Sequence, residues 1–316
     1  MKKKVLSFKN LNKIYTHKNS NSINALNNLN LDVNEGEIFG LLGPNGAGKT
    51  TFINILGGIV IKTSGQVNVQ GFDLDKDPRQ VRASIGIVPQ EINLDPFFSP
   101  RKILELQAGL YGIKKKDRIT ETILKLVSLN NQADSYARSL SGGMKRRLLM
   151  AKALVHQPPI IILDEPTAGV DVDLRKNLWK NVRLLNNAGV TIILTTHYLE
   201  EAEKMCDRIG ILNKGELVAL DTTSNLLNRI QTKKVIFKTS KKIEIKDEIL
   251  KSLKIINNKD NELCVSYEKN KIKIEEIINF IKSNLVRFIC IYFEFVICIK
   301  SKHSKNASFV CCIPFL

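Results

Sequence analysis

No stretch of this 316-residue chain supplies the 18 to 20 consecutive apolar residues that a membrane-spanning helix needs. The nearest, Leu285 to Ile299, is short and carries Arg287 and Glu294. A secretory leader is not expected either: Met1-Lys2-Lys3-Lys4 could open one, but Val5-Leu6-Ser7-Phe8-Lys9-Asn10 breaks before an apolar segment forms. Cysteine is sparse, at 206, 264, 290, 298, 311 and 312, with no Cys-x-x-Cys pair and no histidine at zinc spacing. Reduced thiols in a cytosolic chain are the expectation. Acidic residues are short as well, 31 against 48 Lys and Arg, for a net charge of +17. That surplus is spread out: residues 221–316 hold 18 basic and 10 acidic side chains, residues 1–220 hold 30 and 21. A nucleic-acid face concentrates its basic residues, so no nucleic-acid partner is expected.

What is present is ordinary globular material, 43% hydrophobic and 25% charged. The length allows one large domain, or a domain of about 200 residues with an appendage. Residues 5–42 alternate apolar and polar and read as short antiparallel strands, ending in the apolar strand Ile38-Phe39-Gly40-Leu41-Leu42. A helix is expected from Phe52 to Leu56, stopped by Gly57-Gly58, and two more between Ile103 and Val127, where apolar residues recur at three and four. Ile160-Ile161-Ile162-Leu163 and Val190 to Leu194 are continuous apolar runs separated by a helical segment, Leu174 to Leu185. That alternation predicts an α/β fold with a parallel sheet. No internal repeat of 20 to 50 residues is apparent.

Between the strand ending at Leu42 and the helix at Phe52 lies Gly43-Pro44-Asn45-Gly46-Ala47-Gly48-Lys49-Thr50-Thr51. It fits G-x-x-x-x-G-K-[ST], in which glycines let backbone N–H groups converge on a phosphate at a helix N-terminus. Lys49 reaches the β and γ oxygens as a point charge, and the Thr50 hydroxyl is a hard oxygen ligand suited to Mg²⁺. A second constellation ends the run Ile160 to Leu163 with Asp164-Glu165. A buried parallel strand thereby delivers two carboxylates at the sheet end where such folds bind ligands. Asp164 would hold magnesium, and Glu165 would orient or deprotonate an attacking water. Together the two indicate a nucleotide hydrolase.

Leu140-Ser141-Gly142-Gly143-Met144 opens a helix ahead of that strand and sets the subtype. On these motifs the chain resembles an ATP-binding cassette (ABC) ATPase over about residues 3–221. The resemblance implies a P-loop NTPase cassette with a parallel core sheet, an antiparallel β subdomain, a helical signalling subdomain at 97–155, and a small C-terminal α+β appendage at 222–316. It implies ATP and Mg²⁺ as cofactors, and a head-to-tail dimer. Ser141, Gly142 and Gly143 of one copy would close over the γ-phosphate on the other's phosphate loop. It also implies that Tyr15 stacks on adenine, that Gln90 contacts magnesium and the lytic water, that His197 contacts the γ-phosphate, and that Asp171 lies in a loop touching the partner. The run Gly142-Gly143-Met144-Lys145-Arg146-Arg147-Leu148 is similar to cassettes of type 2 exporters, whose permease is a separate polypeptide. The expected place is therefore the cytoplasmic face of a membrane. A soluble cassette ATPase acting on the ribosome or nucleic acid is the alternative; it fits the positive charge, but not a single cassette lacking coiled coils and zinc modules.

The tail changes character. Lys234 to Phe237 and Leu263 to Tyr267 read as strands and Ile272 to Ile281 as an amphipathic helix, but four of the six cysteines fall in the final 27 residues. A shifted or decayed reading frame beginning near Asn284 is the favoured reading, with residues after about 285 packing poorly. A divergent tail packed on the appendage or a partner is the other.

Overall fold

Three apolar runs make the centre of the chain, because continuous apolar sequence suits a strand covered on both faces. In the computed structural model every residue of Ile38–Leu42, Ile160–Asp164 and Thr191–Thr196 is buried. The structure describes residues 3–17, 20–168, 172–229, 232–239, 253–259, 262–268, 275–277, 279, 288–295 and 312–315. It divides into two compact units, Met1–Leu220 and Asp221–Leu316.

The first unit runs β1 (Lys4–His17), β2 (Ser20–Asn34), β3 (Ile38–Leu42), α1 (Lys49–Leu56), β4 (Ser64–Val69), β5 (Phe72–Asp73), α2 (Pro78–Ala83) and β6 (Ile85–Val88). It continues through α3 (Pro100–Leu110), α4 (Thr120–Leu126), α5 (Gly142–Leu154), β7 (Ile160–Asp164), α6 (Val172–Asn187), β8 (Thr191–Thr196), α7 (Leu199–Met205), β9 (Arg208–Asn213) and β10 (Glu216–Thr222). Six strands form the core sheet in the order β10-β9-β3-β8-β7-β6. β3 is parallel to β8 and β9, and β7 is parallel to β8 and β6. Lys214 and Gly215, both at positive φ, make the two-residue turn from β9 to β10.

The register matters more than the strand count. Leu42 pairs with Thr196, Thr195 with Asp164, and Val88 with Leu163. Parallel strands in this register end together, so Gly43, His197, Glu165 and Gln90 leave the sheet along one edge.

A second, antiparallel sheet orders β2-β1-β4-β5. The short strands expected over residues 5–42 are two long ones, of 14 and 15 residues. Bulges at several register shifts let them bend, and Asn10 and Asn28 sit at positive φ, a conformation asparagine tolerates. Phe8 of β1 packs on Phe52 of α1 with ring centroids 4.6 Å apart, so this sheet anchors the helix behind the glycine loop. The helices expected between Ile103 and Val127 are α3 and α4, and α5 packs against both. Arg147 of α5 donates to the carbonyls of Val127 and Ser128, which caps the end of α4.

The second unit holds α8 (Thr223–Arg229) and a five-stranded sheet of β11 (Thr232–Thr239), β12 (Leu253–Lys259), β13 (Glu262–Glu268), β14 (Phe288–Phe295) and β15 (Cys312–Phe315), ordered β12-β13-β11-β14-β15. The strands expected at Lys234 to Phe237 and Leu263 to Tyr267 lie in β11 and β13, paired antiparallel. The helix expected at Ile272 to Ile281 lies largely outside the described residues. Phe288–Phe295 falls in the segment expected to pack poorly, yet it pairs with β11 along its length. Its aromatic and β-branched residues suit a strand.

Candidate functional site

The glycine loop is held against the core by its backbone. Gly43 N–H donates to the Thr196 carbonyl at 3.4 Å, and the Ala47 carbonyl accepts from Gly215 N–H at 2.9 Å. Gly48 stands at φ 110° ahead of α1, and a Cβ there would lie 2.5 Å from the Ala25 carbonyl oxygen. Only glycine fits that combination. Pro44, Asn45, Gly46 and Thr50 are exposed, Thr51 is half-buried, and Ala47 is buried. Lys49 is buried, and its Nζ donates to the carbonyls of Gly43 at 2.7 Å and Pro44 at 3.2 Å.

Across the sheet edge, Glu165 gathers the residues singled out from separate stretches of sequence. Lys49 Nζ lies 3.3 Å from its Oε1. Gln90 Nε2 donates to its Oε2 at 3.4 Å, and His197 Nδ1 lies 3.1 Å from the same oxygen. Glu165 is buried and sits at φ 43°, unusual for a residue with a Cβ and characteristic of functional turns. Its backbone N–H bonds to the Thr195 hydroxyl and carbonyl, each at 3.1 Å. Thr195 turns its hydroxyl proton to Asp164 Oδ1, at 2.6 Å. Burial raises the Asp164 pKa above its ordinary value; the Thr195 hydrogen bond opposes this and the Glu165 charge adds to it. A cation beside Asp164 would offset that burial penalty. Asp164, Thr50 and Gln90 offer only oxygen donors suited to a hard divalent ion, so the residues fit Mg²⁺.

Ser141, Gly142 and Gly143 stand apart from this cluster. Ser141 caps α5, its hydroxyl accepting from Met144 N–H at 3.3 Å. No hydrogen bond among the described residues joins these three to Gly43–Thr51. The helix they open is nevertheless tied to the carboxylate loop, because Arg146 donates to the carbonyls of Pro166 at 3.2 Å and Ala168 at 2.6 Å. Tyr15, half-buried under Lys13 Nζ at 4.7 Å, pairs in register with Ile23. Ile23 is two residues from Ala25, whose carbonyl oxygen faces Gly48 of the phosphate loop. Asp171 lies outside the described residues.

Sequence reasoning passed over Thr167, Thr195 and Glu201, all three buried. The available signal was polar residues inside or beside apolar strands, since buried hydroxyls and carboxylates need partners.

Residues 26–168 match the family model described as ABC transporter. Over 229 residues the chain is 39% identical to the linearmycin resistance ATP-binding protein LnrL of Bacillus subtilis, spanning 72% of each chain. It is 39% identical over 218 residues to the Nod factor export ATP-binding protein I of Cupriavidus metallidurans, spanning 68% of this chain and 70% of that one. Among solved structures it resembles an ATP-binding cassette captured as a post-hydrolysis dimer with ADP and Pi, at 30% identity and a TM-score of 0.61, covering 69% of this chain and 98% of that one. With its phosphate loop, carboxylate strand and Ser-Gly-Gly helix start in one such cassette, the chain belongs to the ATP-binding subunits of ABC transporters.

Proposed function

We propose that this chain hydrolyses ATP in a head-to-tail pair and drives export through a separate permease, at the cytoplasmic face of a membrane. Its export-class relatives support that reading. So does the absence, among the described residues, of any helix long and apolar enough to cross a membrane, since such a subunit needs a partner to form the path. The observation that carries the catalytic part is the meeting of Lys49, Gln90 and His197 on Glu165.

In this reading Lys49 exchanges the loop carbonyls and Glu165 for the β and γ oxygens of ATP. Glu165, released from Lys49, orients the lytic water or takes its proton, and Gln90 holds that water from the other side. His197 turns a ring nitrogen toward the γ-phosphate, where charge accumulates. Thr50, Asp164 and Gln90 would hold Mg²⁺, which would supply positive charge against the phosphates. Tyr15 stacks on adenine. Ser141 and the N–H groups of Gly142 and Gly143 cover the γ-phosphate bound to the other copy, with Asp171 in the loop between copies.

Replacing Glu165 tests this directly. Glu165→Gln keeps ATP binding and lowers turnover by at least about a hundredfold, the low end for a positioned base. Near-normal ATPase in that variant would remove Glu165 from the role.

A further inference from the structure

Glu201, in α7, is buried and belongs to none of the phosphate, water or metal contacts above. Burying a carboxylate is costly unless its oxygens are occupied. Here both are. Oε1 accepts from the hydroxyl of Thr167, and Oε2 accepts from the hydroxyl of Thr196 at 3.0 Å. Arg175 of α6 supplies positive charge, its Nε 3.7 Å from Oε1. Both threonines are also buried.

The positions of those threonines give the arrangement its meaning. Thr167 lies two residues after Glu165, in the loop that leaves β7. Thr196 ends β8 immediately before His197. Thr196 has further ties: its hydroxyl accepts from Tyr198 N–H at 3.0 Å, and its carbonyl accepts from Gly43 N–H at 3.4 Å. One carboxylate therefore bridges the two loops that carry Glu165 and His197, and through Thr196 it reaches the first residue of the phosphate loop. Glu165 Oε2 and His197 Nδ1 are 3.1 Å apart; the Glu165 N–H is tied to Thr195 at the base of the two loops, and the Thr167–Glu201–Thr196 bonds add a side-chain tie farther along them.

We propose that Glu201 is a positioning residue for ATP hydrolysis: a strap between Thr167 and Thr196 that sets Glu165 against His197. The strap works by hydrogen bonding. A glutamine could keep one acceptor oxygen and offer an amide to the other threonine, whereas alanine or a severed threonine leaves the loops free to drift. Small displacements of reacting groups cost rate out of proportion to their size, while ATP affinity, set mainly by the phosphate loop, is left in place. The inference rests on the assignment of Glu165 and His197 to the hydrolytic step.

The test uses the full chain in its assembled, ATP-hydrolysing form and compares Glu201→Gln, Glu201→Ala and Thr167→Val. Turnover, nucleotide dissociation constant and melting temperature are measured for each. Glu201→Ala and Thr167→Val are expected to lower kcat about tenfold or more with the dissociation constant held within about twofold, the signature of a loss confined to the transition state. Glu201→Gln is expected to stay within about threefold of the parent kcat, a small change on the same scale. Thr167→Val is nearly isosteric and stands by itself if Glu201→Ala does not fold. Parent-like kcat in Thr167→Val overturns the strap, as does a Glu201→Gln kcat as low as that of alanine, or a fall in affinity that accounts for the whole loss. Failure of the underlying assignment looks different: Glu165→Gln itself would remain active.

Discussion

Two helices of the chain, at Lys49 and at Gly142, start from glycine-containing turns, and the two starts are built differently. The one at Lys49 is finished within the chain: its glycine loop is bonded to β8 and to the β9–β10 turn, its lysine is buried against the Glu165 carboxylate, and an amide and an imidazole meet that carboxylate. The one at Gly142 is bare. Ser141 and Gly142 are exposed, Ser141 spends its hydroxyl on its own helix, and the nearby Arg146 guanidinium is committed to the carbonyls of Pro166 and Ala168. Open N–H groups at a helix start favour an anion. In the function proposed above, the second half of the site comes from another chain.

The strongest way to break this contrast is to put the same methyl group on both starts. Gly48→Ala places a Cβ against the Ala25 carbonyl at an unfavourable φ, and ATP binding is expected to be lost, with a stability cost of about 1–3 kcal/mol from backbone strain alone. Gly142→Ala meets nothing within 4 Å, and the melting temperature of the separated chain should be unchanged. Equal damage from both, by calorimetry and nucleotide titration, would show that the two starts are not built differently.

A smaller effect is expected at Tyr15, which the function proposed above assigns to the finished site only. Tyr15→Ala removes the stacking surface, and ATP affinity should fall roughly tenfold, as expected for about 1–3 kcal/mol of base–aromatic stacking. Affinity for inorganic pyrophosphate, which lacks the base, should not change. Titrating both ligands separates adenine stacking from a general loss of fold.

The smallest effect concerns Asp164. Burial raises its folded pKa, so the folded chain holds that proton to a higher pH than the unfolded chain, whose value is near 3.8. Stability is therefore lost as pH rises from the unfolded value through the folded one, and the deficit persists at neutral pH. Asp164→Asn should raise the melting temperature of the nucleotide-free chain at pH 7, by an amount that shrinks toward pH 3.8. The same substitution should weaken Mg²⁺-dependent nucleotide binding. A melting curve indifferent to pH would detach Asp164 from any burial penalty.

The parts of the site legible in sequence were those where local pattern and chemistry coincide. Gly43–Thr50 carries its own turn geometry, and Ile160–Glu165 couples an all-buried strand to two carboxylates. The convergence itself was not legible, because Gln90, Glu165 and His197 meet only through the register of β6, β7 and β8. Nor were the buried threonines: Thr195 and Thr196 have the β-branched form of ordinary strand residues, and their hydroxyls matter only once Asp164 and Glu201 stand beside them. The length of β1 and β2 was missed because bulges interrupt the alternation on which a strand is recognised.

Whether each ATP is closed between two copies can be read from a mixture of two inactive chains. Lys49→Ala removes the finished half-site and Ser141→Arg blocks the bare one, so each variant alone should be inactive. In the mixed dimer one interface pairs an intact Lys49 with an intact Ser141, and ATPase activity should return. If mixing restores nothing although both variants fold and pair, the two helix starts do not share a nucleotide across the dimer and the account is wrong.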